Sequence, residues 1–117
     1  MTSNTSPPAF AGQATLKPLG FDPAKLNGLS ERMIRSHWEN NYGGSVKALA
    51  IVKKQLTEAL ANKDTPPYVY NDLKREHLLR NGSVVLHELY FDNLGGDGIP
   101  DSAVRQALSD AFGAYDA

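Results

Sequence analysis

The segment ERMIRSHWENNYGGSVKALAIVKKQLTEALANKD, residues 31–64, decides the fold of this chain. Its apolar and aromatic side chains recur at steps of three to five residues, which is typical of an amphipathic α-helix. The stripe consists of Met33, His37, Trp38, Tyr42, Val46, Leu49, Val52, Leu56 and Leu60. Ser30 precedes the stripe as a suitable N-cap. Gly43 and Gly44 interrupt it, and interior glycines cost about 1 kcal/mol each relative to alanine, so we expect a kink or a break there.

A second helical segment follows the first. The sequence KDTPPYVY ends the first helix, because two adjacent prolines cannot lie in a helix interior. The second helix is predicted to begin near Tyr70 or Asn71 and to end at Leu94, with RNGS at residues 80–83 weakening its middle. Its apolar positions are Leu73, Leu78, Val84, Val85, Leu86, Leu89, Tyr90, Phe91 and Leu94. Residues 84–94 are apolar on most sides, so we expect them to be the most buried part of the chain.

The rest of the chain completes an all-α prediction. GGDGIP breaks the second helix, and a third helix is predicted over residues 101–112, with Asp101 or Ser102 as its N-cap and Gly113 as its C′ residue. Residues 1–15 are polar and contain prolines, which indicates a flexible arm. No segment alternates with the period of a β-strand. The predicted fold is therefore a long antiparallel helical hairpin plus a short third helix, preceded by an extended N-terminal arm.

Composition excludes several classes of function. A net charge of −1 argues against a protein that binds nucleic acid or a membrane surface through bulk electrostatics. The absence of cysteine excludes disulfides, thiolate metal sites and a cysteine nucleophile, so any metal ion must be held by His, Asp or Glu. The sequence has no run of 18 apolar residues and no signal-peptide pattern at its start, so we expect a cytoplasmic protein without a membrane span.

Two of the three histidines are candidate metal ligands. His37 lies near the start of the first helix and His87 near the end of the second. If these helices pair antiparallel, both histidines lie at the same end of the hairpin and can face each other, which is a usual basis for a metal site in a helical scaffold. His77 stands beside Arg75 and Glu76 on a polar stretch, and we interpret it as a solvated surface residue.

A structural role for the same two histidines stays open at this point. A lone histidine on an apolar helix face is commonly a core residue with a satisfied hydrogen bond. Two histidines are also fewer than the three or more protein ligands of an ordinary catalytic metal site. Glu39 and Glu88 are close to them in sequence, but side chains one or two positions apart do not share a helix face. Neither glutamate is therefore a convincing third ligand.

Three motifs in this order, LSERMIRSHWENNYGGSVKAL, GSVVLHELYFDNLGG and VRQALSDAFGAY, resemble the N-terminal half of the iron/manganese superoxide dismutases. The resemblance covers about residues 16–115 and identifies them as that family's N-terminal α-hairpin domain. The first hairpin helix of the family carries a metal-binding histidine near its start, which matches His37. The second carries another before a pair of aromatic residues, which matches His87 with Tyr90 and Phe91. The resemblance therefore implies that His37 and His87 bind an Fe or Mn ion that dismutes superoxide to oxygen and hydrogen peroxide.

The family pattern also implies what must be added to these residues. Its hairpin is followed by an α/β domain that brings an Asp and a third His, and no such motif occurs here. The implied chain is inactive in isolation and is completed by a separate chain carrying the α/β half or by a homo-oligomer. Its small-molecule substrate is superoxide, and neither nucleic acid nor membrane is an expected partner. The alternative is a non-catalytic truncated hairpin that acts as a dimerisation or metal-binding module.

Further positions around the implied metal site match the family only in part. Asn41 occupies the position four residues after the first ligand, where the family often has His or Asn. Ser45 occupies the position eight residues after it, where the family usually has a Tyr at the mouth of the site, and Tyr42 falls on a different part of the helical turn. An apolar shell that limits water access is expected from Trp38, Tyr90 and Phe91.

Overall fold

The computed structural model describes residues 10–116, and every regular element in that range is helical. The predicted all-α class is therefore confirmed for the described residues. The helices are α1 (Glu31–Ser36), α2 (Gly43–Ala61), α3 (Pro67–Asp92) and α4 (Ser102–Phe112), with a π-helical segment His37–Tyr42 between α1 and α2 and a short 3-10 turn Pro23–Lys25. Side-chain bonds pair residue 42 with residue 88 and residue 45 with residue 83, so α2 and α3 form an antiparallel hairpin.

The first hairpin helix differs from its prediction at one point. Ser30 caps it as expected, because its Oγ accepts a hydrogen bond from the Met33 N–H at 3.2 Å. Of the predicted kink or break at the two glycines, the break is wrong: both lie within α2, and Gly43 has helical φ and ψ of −59° and −38°. The irregularity lies just before them, in the π-helical segment. Such segments are rare and frequently occur at functional sites.

The second hairpin helix begins earlier than predicted. α3 starts at Pro67, with Pro66 as its extended N-cap residue, rather than at residue 70 or 71. The first N–H groups of a helix have no partner inside it, so a proline at the first helical position costs nothing there. α3 then continues without interruption through residues 80–83 and ends at Asp92, two residues before the predicted end.

The core lies between α2 and α3 and under the residues that precede α1. Its buried apolar members are Ile34, Tyr42, Val46, Leu49, Val52, Leu56, Val84 and Phe91. Residues 84–94 are not the most buried segment, so that prediction is wrong: Leu86 is 68% exposed and Leu89 is 54% exposed. The reason is that, among the helices of residues 10–116, α3 packs only against α2 and the π-helical segment, so no other helix covers Leu86 and Leu89.

The N-terminal residues lie along the hairpin. Residues 1–9 of the predicted arm are outside the described residues, whereas Ala11 and Gly12 accept hydrogen bonds through their carbonyl oxygens from Lys53 Nζ. Further along, Leu19, Phe21, Leu26 and Leu29 pack against the core. None of the helices within residues 10–116 combines the length and the apolar character needed to cross a membrane.

α4 forms as predicted but stands apart from the hairpin. Asp101 is its N-cap, since its Oδ1 accepts from the Val104 N–H at 2.8 Å, and Gly113 ends it with a left-handed φ of 88°. Within residues 10–116, α4 packs against none of the other helices and has no buried residue.

Candidate metal centre

The hairpin brings His37 and His87 together. His37 is the first residue of the π-helical segment, and His87 lies on α3 one turn before its C-terminal end. Their imidazole ring centres are 5.0 Å apart, with an interplanar angle of 78°. Both side chains are half-buried. The predicted pairing of these two histidines at one end of an antiparallel hairpin therefore agrees with the structure.

Hydrogen bonding determines which nitrogen of His87 carries the proton. Its Nδ1 lies 2.7 Å from the Ser83 carbonyl oxygen and 3.2 Å from Ser83 Oγ. A carbonyl oxygen only accepts hydrogen bonds, so Nδ1 of His87 carries the proton and donates to it. In the neutral imidazole the lone pair is then on Nε2. This is the usual arrangement for a metal-binding histidine, which donates its other ring N–H to a carbonyl or carboxylate.

His37 has a different environment. Burial lowers the pKa of His37, and the neighbouring His87 lowers it further. Its ring lies 5.3 Å from the ring of Tyr90 and 5.3 Å from that of Phe91. No hydrogen bond holds its ring within the described part of the chain. The alternative role of a core histidine with a satisfied hydrogen bond therefore fits His87 better than it fits His37. The neutral form that burial favours in His37 is the form that binds metal ions.

The three aromatic residues of the predicted apolar shell have separate positions. Phe91 is 5% exposed and lies 6.3 Å from the ring of His87, so it covers both histidines. Tyr90 is 37% exposed and forms the outer side of His37. Trp38 packs against the core, and its Nε1–H donates to the Lys17 carbonyl at 2.9 Å. Trp38 therefore anchors the N-terminal segment next to the histidine pair.

Tyr42 is the residue at this site whose contacts the sequence analysis did not predict. It is 1% exposed, and its ring stacks on that of His87 with centres 6.0 Å apart. Its hydroxyl donates to Glu88 Oε1 at 2.7 Å and accepts from the Lys17 N–H at 2.9 Å. Burial raises the pKa of Tyr42, and Glu88 raises it as well.

Tyr42 ends the π-helical segment that begins with His37. A π-helix bonds residue i to residue i+5, so the residue five positions after His37 returns to the same side of the helix. In an α-helix, residues three or four apart share a face instead.

Asn41 and Ser45 differ from each other in exposure and in contacts. Asn41 is exposed and lines an open cleft that includes His37, Ser36 and Met33. Ser45 is 8% exposed; its Oγ lies 2.9 Å from the Asn41 carbonyl and 2.7 Å from Ser83 Oγ. Ser45 therefore contacts the residue that holds His87, and Ser83 is a further contributor that the sequence analysis did not single out.

His77 lies away from this pair, and its predicted exposure is wrong. Its side chain is half-buried, its ring packs edge-on against Phe10 at 5.4 Å, and its Nε2 is buried without a hydrogen-bond partner among residues 10–116. Burial lowers the pKa of His77, and Lys53 adds to the effect. The N-terminal segment covers a face of α3 that the local sequence alone shows as polar.

The described residues supply two imidazoles and no complete set of ligands. Within residues 10–116, no group of three or more His, Cys, Asp or Glu side chains is arranged to hold a metal ion. The carboxylate of Glu88 is engaged with the Tyr42 hydroxyl. His87 donates its Nδ1–H to a carbonyl, and burial lowers the pKa of His37 and favours its neutral form, so the two residues fit two positions of a histidine-bound metal centre.

Comparison with known proteins identifies relatives of this chain. It is 48% identical over 101 residues to an iron superoxide dismutase of Cupriavidus metallidurans, a match that covers 86% of this chain and 51% of the relative. It is 35% identical to iron superoxide dismutases of Aquifex aeolicus and Aquifex pyrophilus, covering 81% of this chain and 47% of each relative. No protein-family model matches the chain. The chain spans about half the length of these relatives. The resemblance is therefore confirmed: this chain is a homologue of the iron superoxide dismutases, and the extent of the match is consistent with the N-terminal half of that family.

Proposed function

We propose that this chain supplies two ligands, His37 and His87, to an iron centre that dismutes superoxide to oxygen and hydrogen peroxide. The observation that carries the proposal is the approach of the two imidazole rings to 5.0 Å from two different helices. The names of the relatives favour iron, and manganese stays a prediction. The bound ion would supply one-electron redox chemistry for both halves of the dismutation.

The residues around the histidines have distinct roles in this proposal. Burial lowers the pKa of His37 and so favours the neutral form that binds a metal ion, and the Ser83 carbonyl orients His87. Phe91 closes the inner side of the pair and limits the access of water. Tyr42 supports the His87 ring by stacking and is itself held by Glu88. These contacts preorganise the two imidazoles before any metal ion arrives.

The remaining ligands would come from a partner. Two protein ligands are too few for a catalytic metal site, and relatives of this chain have about twice its matched length. Leu78, Leu86 and Leu89 are more than half exposed on the outer face of α3, and apolar patches of this kind usually mark an interface. The partner is an α/β segment that carries the missing Asp and His, or further copies of this chain. The expected location is the cytoplasm.

A non-catalytic role is the second candidate. It is favoured by the lack of a third ligand among residues 10–116 and by the same exposed face of α3. In this role the hairpin is a dimerisation or metal-binding module, and the histidine pair contributes to packing or binds a metal ion without turnover.

Metal binding by histidine variants tests the assignment of the ligands. Co²⁺ is the probe, because it binds imidazole sites more tightly than Fe²⁺ or Mn²⁺. The wild-type chain and His77→Ala should bind Co²⁺ with the same Kd, whereas His37→Ala and His87→Ala should weaken binding by about tenfold or more. His77 is a matched control, because it is a histidine on α3, the helix that also carries His87, and it lies outside the pair. Equal Kd values for all four proteins would contradict the proposal.

The protein purified from its own host separates the two candidate functions. Elemental analysis of the sized complex, with any co-purifying chain identified, is followed by an assay of superoxide removal. Iron together with superoxide removal in a complex with a second chain or further copies would support the dismutase. A metal-free chain that does not remove superoxide would favour the packing module.

A further inference from the structure

Three side chains and two carbonyl groups form a chain of hydrogen bonds beside the histidine pair. His87 Nδ1 lies 2.7 Å from the Ser83 carbonyl and 3.2 Å from Ser83 Oγ. Ser83 Oγ lies 2.7 Å from Ser45 Oγ, and Ser45 Oγ lies 2.9 Å from the Asn41 carbonyl. The chain crosses from α3 to α2 and ends in the π-helical segment.

The two carbonyl groups determine which group donates in each hydrogen bond of this network. The Asn41 carbonyl can only accept, so the single proton of the Ser45 hydroxyl is committed to it. Ser45 Oγ must therefore accept from Ser83, which commits the proton of the Ser83 hydroxyl as well. Ser83 Oγ is left as an acceptor, and it faces His87 Nδ1 at 3.2 Å.

Both acceptors next to Nδ1 now favour the same tautomer of His87. The Ser83 carbonyl accepts from Nδ1, and the oriented Ser83 hydroxyl also accepts from it. Without Ser45 as its acceptor, the Ser83 hydroxyl could turn and donate to Nδ1, which would favour the tautomer with its proton on Nε2. That form of His87 has no lone pair on Nε2 for a metal ion.

We propose that Ser45 and Ser83 are positioning residues that hold His87 in the Nδ1-protonated tautomer, so that its Nε2 can bind a metal ion. This inference rests on the proposed function of His87 as a ligand. It assigns a role to the position where the family pattern led us to expect a tyrosine. Ser45 is 8% exposed and packs in the hairpin core, so it acts on His87 through Ser83 and need not meet the substrate.

The tautomer can be read in the metal-free chain. Long-range ¹H–¹⁵N correlation spectra at pH 8 distinguish the protonated from the unprotonated nitrogen of each imidazole. Ser45→Ala and Ser83→Ala should each lower the ratio of the Nδ1-protonated to the Nε2-protonated form of His87 about three- to tenfold, the effect of one neutral hydrogen bond. Ser83→Thr retains the hydroxyl and should keep the wild-type ratio. His77 serves as the internal reference, and its ratio should stay constant.

Co²⁺ affinity tests the consequence for metal binding. The apparent Kd rises as the fraction of His87 in the binding tautomer falls, so a three- to tenfold fall in the ratio can raise the Kd by at most about that factor. Both alanine variants should therefore raise the Kd for Co²⁺ by up to about three- to tenfold, with Ser83→Thr close to wild type. An unchanged tautomer ratio in both alanine variants overturns the inference, and so does a changed ratio with an unchanged Kd. If the wild-type chain binds no Co²⁺, the proposed function fails, and the tautomer ratio alone decides whether the serines orient His87.

Discussion

Replacing Tyr42 with phenylalanine removes one hydroxyl from the core and keeps the ring that packs there. The hydroxyl makes a hydrogen bond of 2.7 Å to the Glu88 carboxylate and receives one of 2.9 Å from the Lys17 N–H. A bond to a charged group contributes about 1.5–3 kcal/mol and a neutral bond about 0.5–1.5 kcal/mol. Residue 17 is exposed, so water can replace the second bond, and we expect the free energy of unfolding to fall by about 2–3 kcal/mol.

Urea denaturation followed by the fluorescence of Trp38, the single tryptophan, measures this change. The urea concentration at the midpoint of unfolding should fall. The slope of the free energy of unfolding against urea concentration should stay constant, since the ring and its buried area are retained. Tyr68→Phe is the matched control: Tyr68 is 68% exposed, and its loss of a hydroxyl should change stability by less than about 0.5 kcal/mol. A Tyr42→Phe effect no larger than that of Tyr68→Phe would show that the reasoning on the buried hydroxyl is wrong.

Three further predictions concern two glycines and the histidines. Gly82→Ala should stabilise the chain by about 0.5–1 kcal/mol, because Gly82 lies inside α3 and an added Cβ would contact nothing within 4 Å. Gly95→Ala should destabilise it in the same urea titration, because Gly95 has a φ of +89° and a Cβ there would lie 3.1 Å from Phe21 Cβ. Stability should fall as the pH is lowered from 7 to 5: burial lowers the pKa of His37 and of His77 below the usual value of 6.5, so the unfolded chain takes up protons first. Thermal unfolding of His77→Gln over that pH range should show a shallower slope, and a slope equal to that of wild type would contradict the role of His77.

The local pattern of the sequence was sufficient to predict the helices and to place the two principal residues of the candidate site. Helix period, caps and breakers are local properties, so the stripe over residues 31–64, the cap at Asp101 and the end at Gly113 could be recognised without tertiary information. The same pattern placed His37 and His87 at one end of a hairpin. The proposal that they are metal ligands came from family resemblance, since helical spacing alone was also compatible with core histidines.

Tertiary packing decided what local pattern could not. Residues 84–94 are largely apolar, but no other helix of residues 10–116 covers the outer face of α3, so Leu86 and Leu89 remain exposed. The N-terminal segment covers His77, a contact between residues far apart in sequence. His37 and Tyr42, five residues apart in the π-helical segment, both contact His87 and Phe91. In a regular α-helix the residues that share a face are three or four apart. Burial and register depend on which faces meet after folding, and local periodicity specifies a face without specifying its partner.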